Sequence, residues 1–245
     1  MHLEARDERL QEEKRLMSYG RDGRVVMVIP VLNGYDLLDR TLASVDDDRI
    51  KEILIVDNGG HYTDLVENFS RSYELKILNL PSNLGVAGSW NLGIKLYPHE
   101  PFVIFGSHDN GWIPRELTRL IDESSECHMV VTDPEPYATF SLGRDIVRLV
   151  GLFDENFYPA YYEDTDYTRR ITRMGFATLI KRPGIKMNFY SHGTTRDSSP
   201  EFYKRDNFTI GENHGYFHAK EELPIDEQNS MKWQIDRRIR NEWLT

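Results

Sequence analysis

The chain has 245 residues, a formal net charge of -10, 39% apolar and 29% charged residues, and a single cysteine, Cys127. That length suits one large or two small domains with a real core. The acidic balance excludes nucleic acid as an expected partner, because a phosphate backbone is repelled without a local basic patch; one cysteine excludes an internal disulfide framework and fits a reducing compartment.

Residues 1–23 are rich in Glu, Arg and Lys, with Leu3, Leu10 and Met17 recurring every seven residues. This predicts a charged helix with a thin apolar seam, broken at Gly20–Gly23. It lacks the apolar centre of a secretory signal, and no apolar run is long enough to cross a membrane, so a cytoplasmic location is expected.

Val25 to Ile29 is an unbroken apolar run ending at Pro30, as suits a parallel strand buried on both faces. Leu37, Leu38, Leu42 and Val45 then follow at helical spacing. A second buried strand covers Glu52 to Val56 and ends in Asp57-Asn58-Gly59-Gly60. A helix at 64–72 leads to a third strand from Leu75 to Leu80. Strand, helix, strand, helix, strand is the pattern of an α/β open sheet. Ligands of such sheets bind beyond the carboxyl ends of the strands, so the strand-ending residues Asn33, Asp57 and Asn58 are candidates. The same residue types also cap helices and form turns.

Asn83-Leu84-Gly85-Val86-Ala87-Gly88-Ser89-Trp90-Asn91-Leu92-Gly93 is dense in Gly and Asn, and a helix is predicted from Ala87 to Leu96. Small residues at a helix start let a phosphate approach backbone N–H groups, although no Walker or Gly-x-Gly-x-x-Gly pattern is present. A fourth strand, Phe102 to Phe105, runs into Ser107-His108-Asp109-Asn110-Gly111. This is either a turn or a loop presenting oxygen ligands for Mg²⁺ or Mn²⁺ in front of a diphosphate. Pro114 starts a helix with Leu117, Leu120 and Ile121 inward, and Met129 to Thr132 reads as a fifth strand.

The second half is less regular. Residues 133–144 give no clear element, and a short helix carrying Ile146 and Val150 ends at Gly151. In Tyr162-Glu163-Asp164-Thr165-Asp166, three carboxylates fall in four residues at the start of a helix whose apolar stripe is Tyr167, Ile171 and Met174. The helix dipole favours negative charge there. By itself this is a solvated, acidic helix start; held rigidly, it could supply a general base. Ala177 to Ile180 and Lys186 to Tyr190 read as strands, and Ile235, Ile239 and Trp243 mark an amphipathic C-terminal helix. That helix suits a docked terminal element, a homo-oligomer contact or a peripheral membrane contact.

Taken in order, these pieces resemble the inverting family-2 glycosyltransferases with a GT-A fold, notably the rhamnosyltransferase-like and galactofuranosyltransferase-like branches. The carriers are Val28–Asn33, Ile55–Gly59, the Asn83–Gly93 stretch, Val150–Glu155, the Glu-Asp-x-Asp of Glu163 to Asp166, and Gly175-Phe176. The resemblance covers roughly residues 24–195 and implies an α/β, mostly parallel Rossmann-like open sheet flanked by helices. It divides the chain into the charged helix at 1–23, a catalytic domain at 24–195 with a nucleotide-binding half to about 132, and a C-terminal extension at 196–245.

The resemblance implies transfer of a sugar from a UDP- or dTDP-linked donor to a hydroxyl of a glycan, a lipid-linked sugar or a protein. Pro30, Val31, Leu32, Asn33, Asp57 and Asn58 would hold the nucleoside. Asn83, Gly85, Gly88, Asn91 and His108 would shape the diphosphate and sugar site. Asp109 and His192 would bind Mn²⁺ or Mg²⁺, Asp164 would be the base, and Glu163 and Asp166 would support it. The family's Asp-x-Asp stands here as Ser107-His108-Asp109, without the first aspartate. That departure motivates an alternative, a catalytically silent nucleotide-sugar or glycan-binding module.

Overall fold

The computed structural model describes residues 25–63, 72–190 and 199–224. The helix at 1–23, nearly all of the helix at 64–72, His192 and the amphipathic helix at 235–243 lie outside the described residues.

Four strands run parallel as neighbours: β1 (Val25–Val31), β2 (Ile50–Asp57), β3 (Glu74–Asn79) at one edge, and β4 (Phe102–Gly106). The seven-stranded sheet runs β3-β2-β1-β4-β7-β6-β8, with β6 (Met129–Val131), β7 (Thr139–Gly143) and β8 (Ile180–Lys181). β7 pairs antiparallel with both β4 and β6 and is the one reversed strand in it. A separate ribbon joins β5 (Asn110–Trp112) to β9 (Met187–Phe189).

The unbroken apolar strands are explained by burial on both faces. Along β1, Val25, Met27, Ile29 and Val31 face one core with Leu38 and Leu42 of α1 (Tyr35–Ala43) and Leu117 and Leu120 of α3 (Glu116–Glu123). Val26 and Val28 face the other core, with Ala87 and Trp90 of α2 (Gly85–Leu96), Ile146 and Val150 of α4 (Arg144–Val150), and Tyr167 and Ile171 of α5 (Glu163–Arg173). The period-two alternation of side chains along a strand produces this division. α2 comes close to the sheet at Gly93, where a Cβ would lie 2.9 Å from Val28.

Four elements depart from expectation. β5 takes Asn110 and Gly111 out of the segment read as a turn or ligand loop, because they pair with Phe189 and Asn188 of β9. β7 lies in the segment with no clear element; its five residues are all buried, and the prolines just before it belong to a loop. Ala177–Leu179 is a 3-10 turn followed by only two strand residues, because β8 pairs with β6 alone at the sheet edge. The 22-residue α6 (Pro200–Glu221) lacks the apolar stripe that marks a helix in sequence. Among its residues whose burial is described, the buried ones are Asp206, Thr209, Asn213 and Lys220, spaced along one helical face but polar.

Candidate active site

A cleft of about 540 Å³ opens beyond the carboxyl ends of β1, β2 and β4. Pro30, Val31 and Leu32 line it from the end of β1, Asn58 from the end of β2, and Asn83, Gly85, Val86 and Trp90 from the start of α2. The loop after β4 contributes Ser107, His108 and Asp109. Across from these lie Glu135 to Ala138, Pro159 to Tyr161, and Glu163 and Asp164 at the start of α5; Asp206 of α6 also lines the cleft.

The cleft thus brings together Pro30, Val31, Leu32, Asn58, Asn83, Gly85, His108, Asp109, Glu163 and Asp164. Asn33, Asp57, Gly88, Asn91 and Asp166 do not line it. Asp57 is fully buried and accepts hydrogen bonds from the Tyr35 hydroxyl (2.9 Å), the Gly59 N–H (2.9 Å) and the Tyr62 N–H (2.7 Å). It shapes the loop after β2. Asn91 likewise fastens the segment before α5: its amide donates to the Phe153 carbonyl at 2.9 Å and accepts from the Phe153 N–H at 2.9 Å. Asn58 does both jobs, lining the cleft while accepting from the Leu84 N–H (2.8 Å) and donating to Ser89 Oγ (2.9 Å).

Gly85 has φ +74°, and a Cβ there would lie 2.7 Å from the Pro159 carbonyl oxygen. Only glycine tolerates both the left-handed backbone and this contact. The Val86 N–H donates to the same Pro159 oxygen at 2.7 Å. The Asn83–Gly85 turn and the loop leading into α5 are therefore locked together across the cleft.

The three carboxylates of the α5 start have different surroundings. Asp166 is fully buried and pairs with Arg169 (3.0 Å), Arg170 (2.9 Å) and Lys220 (2.8 Å). Glu163 is also buried, and its Oε2 meets no hydrogen-bond partner among the described residues. Burial, reinforced by neighbouring Asp164, pushes the Glu163 carboxyl well above its ordinary range. Asp164 is less enclosed and accepts from the Thr165 N–H at 2.6 Å and the Thr165 hydroxyl at 3.1 Å. Burial raises its carboxyl, and the charge of Glu135 adds to that, against the hydrogen bonds that lower it. A carboxylate raised toward neutrality is a better proton acceptor at physiological pH.

On the opposite wall, Asp109 accepts a hydrogen bond from Ser107 Oγ. His108 is buried, its Nε2 has no partner among the described residues, and burial lowers its pKa. The described residues contain no group of three His, Cys, Asp or Glu side chains able to hold a metal ion. Mg²⁺ and Mn²⁺ sites in front of a diphosphate do not require one, since one or two carboxylates plus substrate oxygens suffice. Asp109 in the cleft fits that donor set.

Sequence reasoning missed Glu135, Tyr137, Tyr161 and Asp206 as cleft residues. Tyr161 could have been found, since it precedes the Glu-Asp pair by two residues. Asp206 had no signal, because α6 has no apolar period.

A mostly parallel open sheet with its cleft across the strand ends, and an acidic helix start on the far wall, defines the GT-A class of fold. The profile of glycosyl transferase family 2 matches residues 26–189, and the chain belongs to that family. The galactofuranosyl glycosyltransferase of Leishmania donovani is 46% identical over 52 residues, which is 21% of this chain and 12% of that protein. Residues 1–349 of S. aureus TarS, solved with UDP-GlcNAc, superpose with TM-score 0.54 at 14% identity, covering 88% of this chain and 72% of that one. GalNAc-T7, solved with UDP, GalNAc and Mn²⁺, gives TM-score 0.53 at 14% identity over 90% of this chain and 58% of its own. At these identities the structural likeness shows the fold. Among the described residues no helix is long and apolar enough to cross a membrane.

Proposed function

We propose that the protein transfers a sugar from a nucleotide-diphosphate donor to an acceptor hydroxyl with inversion, with Asp164 as general base. One observation carries the proposal: Asp164, its carboxyl raised by burial, lines the same cleft as the strand-end loops Pro30–Leu32, Asn83–Gly85 and Ser107–Asp109. The nucleoside lies against Pro30 to Leu32, and the diphosphate faces Asn83, Gly85 and Asp109. The acceptor enters between Glu135–Ala138, Tyr161 and Asp206. Asp164 takes the proton of the acceptor hydroxyl as its oxygen bonds to the anomeric carbon, and the nucleoside diphosphate leaves from the opposite face. Glu163 and Asp166 are supports.

The charge of the cleft supports a metal requirement. Asp109, Glu135, Glu163, Asp164 and Asp206 line it, and no Lys or Arg does among the described residues. An anionic diphosphate against those carboxylates needs a counter-cation. Asp109 would hold Mn²⁺ or Mg²⁺, which when bound neutralises the charge developing on the leaving diphosphate. TarS and GalNAc-T7 were solved with UDP-bearing ligands or UDP, which favours a UDP-linked donor over a dTDP-linked one. The stretch similar to a galactofuranosyl glycosyltransferase makes UDP-galactofuranose the first sugar to test.

Release of nucleoside diphosphate from a donor panel, with Mn²⁺ and with chelator, tests the reading. Asp164→Asn is expected to lower turnover by about 10²–10⁴, the usual worth of a general base, while donor-induced thermal stabilisation persists. Full turnover in that variant refutes the base assignment. A silent binding module is favoured by the missing first aspartate of the metal loop; donor-induced stabilisation without release from any donor would establish it.

A further inference from the structure

We infer that α6, which lies beyond the family-matched residues, is part of the catalytic apparatus, and that Asn213 is the positioning residue for the proposed base. This rests on the glycosyl-transfer reading of the cleft.

The segment entering α5 is held in an unfavourable conformation. Tyr161 and Tyr162 have φ of 77° and 73°, consecutive left-handed residues without the freedom of glycine. Such backbone persists only where its surroundings over-determine it. Glu163 and Asp164 follow at once, so the direction of the Asp164 carboxylate depends on how those two residues are held. From α5 the Asp166 N–H donates to the Tyr162 carbonyl at 2.9 Å, but Tyr162 makes no capping side-chain hydrogen bond.

α6 adds a restraint from outside the segment. Asn213 is fully buried, and its Nδ2 donates to the Ala160 carbonyl at 2.7 Å and the Tyr161 carbonyl at 3.2 Å. One side chain thus grips the backbone just before the acidic pair, from more than 50 residues away in sequence. Phe217, one turn along, packs on the Tyr162 ring at 5.4 Å and lies under the Arg169 guanidinium at 3.9 Å. Lys220 fastens the far end: its Nζ donates to Asp154 at 2.7 Å and Asp166 at 2.8 Å, and all three are buried. Tyr216 adds a 2.8 Å hydrogen bond to Asp154. Asn213 and Lys220 are buried on α6 because their partners are a strained backbone and two carboxylates.

The same helix brings Asp206 into the cleft. The titratable groups that interact with Asp164 are Glu163 beside it, Glu135 on the cleft lining it shares with Asp206, and the Tyr137 hydroxyl, whose own pKa is raised first by burial and further by Asp164. Releasing the Tyr161–Tyr162 backbone would turn the base outward into water, away from these neighbours.

The test compares Asn213→Ala and Asn213→Asp with wild type in the full chain. The aspartate has the size of the asparagine, but when ionised it can only accept hydrogen bonds and faces two carbonyls. The positioning role predicts about a 100-fold lower kcat for both variants, as for a 1 Å misplacement, with donor KM within about threefold. Asn213→Asp should be at least as defective as Asn213→Ala, the reverse of the order a packing role gives. The acidic limb of the kcat/KM profile should move to lower pH, because a solvated Asp164 loses the burial that raises it. Hydrogen exchange at residues 160–164 should accelerate at least about tenfold, while UDP with Mn²⁺ still stabilises both variants. Arg148→Ala, on the exposed face of α4 away from the cleft, serves as the unaffected control. Turnover within about threefold of wild type in both variants, or unchanged exchange at 160–164, overturns the inference. If wild type turns over no donor, the transferase reading fails and the exchange measurement still decides whether Asn213 holds the segment.

Discussion

Replacing Lys220 by methionine tests how α6 is fastened. The side chain is 1% exposed, and its ammonium lies 2.7 Å from Asp154 and 2.8 Å from Asp166. Methionine keeps most of the volume and removes only the charge and its donors. Asp166 retains Arg169 and Arg170. Asp154 retains hydrogen bonds from the Asn156 N–H (2.9 Å), Asn156 Nδ2 (2.8 Å) and the Tyr216 hydroxyl (2.8 Å), but no cation. Removing one partner of a buried charge pair costs about 3–5 kcal/mol, because the other is left uncompensated. Against a total stability of about 5–15 kcal/mol this is a large loss. For a chain of this size it corresponds to a fall of roughly 10 °C in Tm.

The pH dependence separates charge from packing. Burial alone would raise the Asp154 carboxyl, yet Lys220, Asn156 and Tyr216 hold it below the usual range. A carboxyl depressed in the folded state contributes stability above its unfolded value of about 3.9, and the contribution is lost as pH falls through the lower folded value. Without Lys220 the Asp154 carboxyl rises, so the variant's deficit is largest near neutrality and narrows on acidification through the carboxylate range. Urea unfolding followed by circular dichroism across that range measures it. A neutral-pH loss under about 1 kcal/mol, the scale of an exposed pair, or a loss that does not vary with pH, would refute the electrostatic account.

Glu163→Gln should act in the opposite sense. The raised Glu163 carboxyl contributes stability fully below its unfolded value of about 4.3 and loses it as pH rises through the higher folded value. The untitratable amide should therefore gain on wild type with rising pH in the same unfolding assay; an acid-side gain would contradict it. Gly85→Ala should cost at least about 1–2 kcal/mol from the left-handed backbone alone. The 2.7 Å contact with the Pro159 oxygen should also weaken UDP-dependent thermal stabilisation. Asp109→Asn should lower Mn²⁺-dependent release at least ~100-fold, the scale of a lost metal contribution of several kcal/mol, and added Mn²⁺ should restore chelated wild type but not the variant.

The central strands were legible because their burial on both faces leaves an apolar run that few other structures require. Val25 to Ile29 and Ile53 to Val56 are such runs. β7 was hidden behind Pro134 and Pro136, which end in the loop before it. α6 was hidden for a different reason: hydrophobic periodicity detects only helices that bury apolar residues, and this one buries Asp206, Asn213 and Lys220. Within the site, strand-end position picked out Asn33, Asp57 and Asn58, of which Asn58 lines the cleft, while Pro30 to Leu32 entered through the family resemblance. Strand-end position could not distinguish Asn58 from Asp57, since a residue that shapes a loop and one that meets a ligand occupy the same kind of position. Only the hydrogen bonds of Asp57 to Tyr35, Gly59 and Tyr62 make that distinction.

The acidic triplet of α5 can be divided by helix geometry together with burial. At about 100° per residue, Glu163 and Asp166 lie about 60° apart on one side of the helix, while Asp164 is about 160° from Asp166. Asp166 points where Arg170 and Lys220 wait, in the interior. Asp164 is thereby turned away from those cations, toward the cleft it shares with Asp109. A carboxylate engaged by Arg170 and Lys220 in the interior does not face the cleft. The separation between Asp164 and Asp166 therefore leaves one carboxylate to anchor α6 and another, two residues earlier, in the cleft, where the proposed mechanism places the acceptor. A helix of that sequence can do both only if its first turn is fixed at a defined rotation, which is the part assigned here to Asn213.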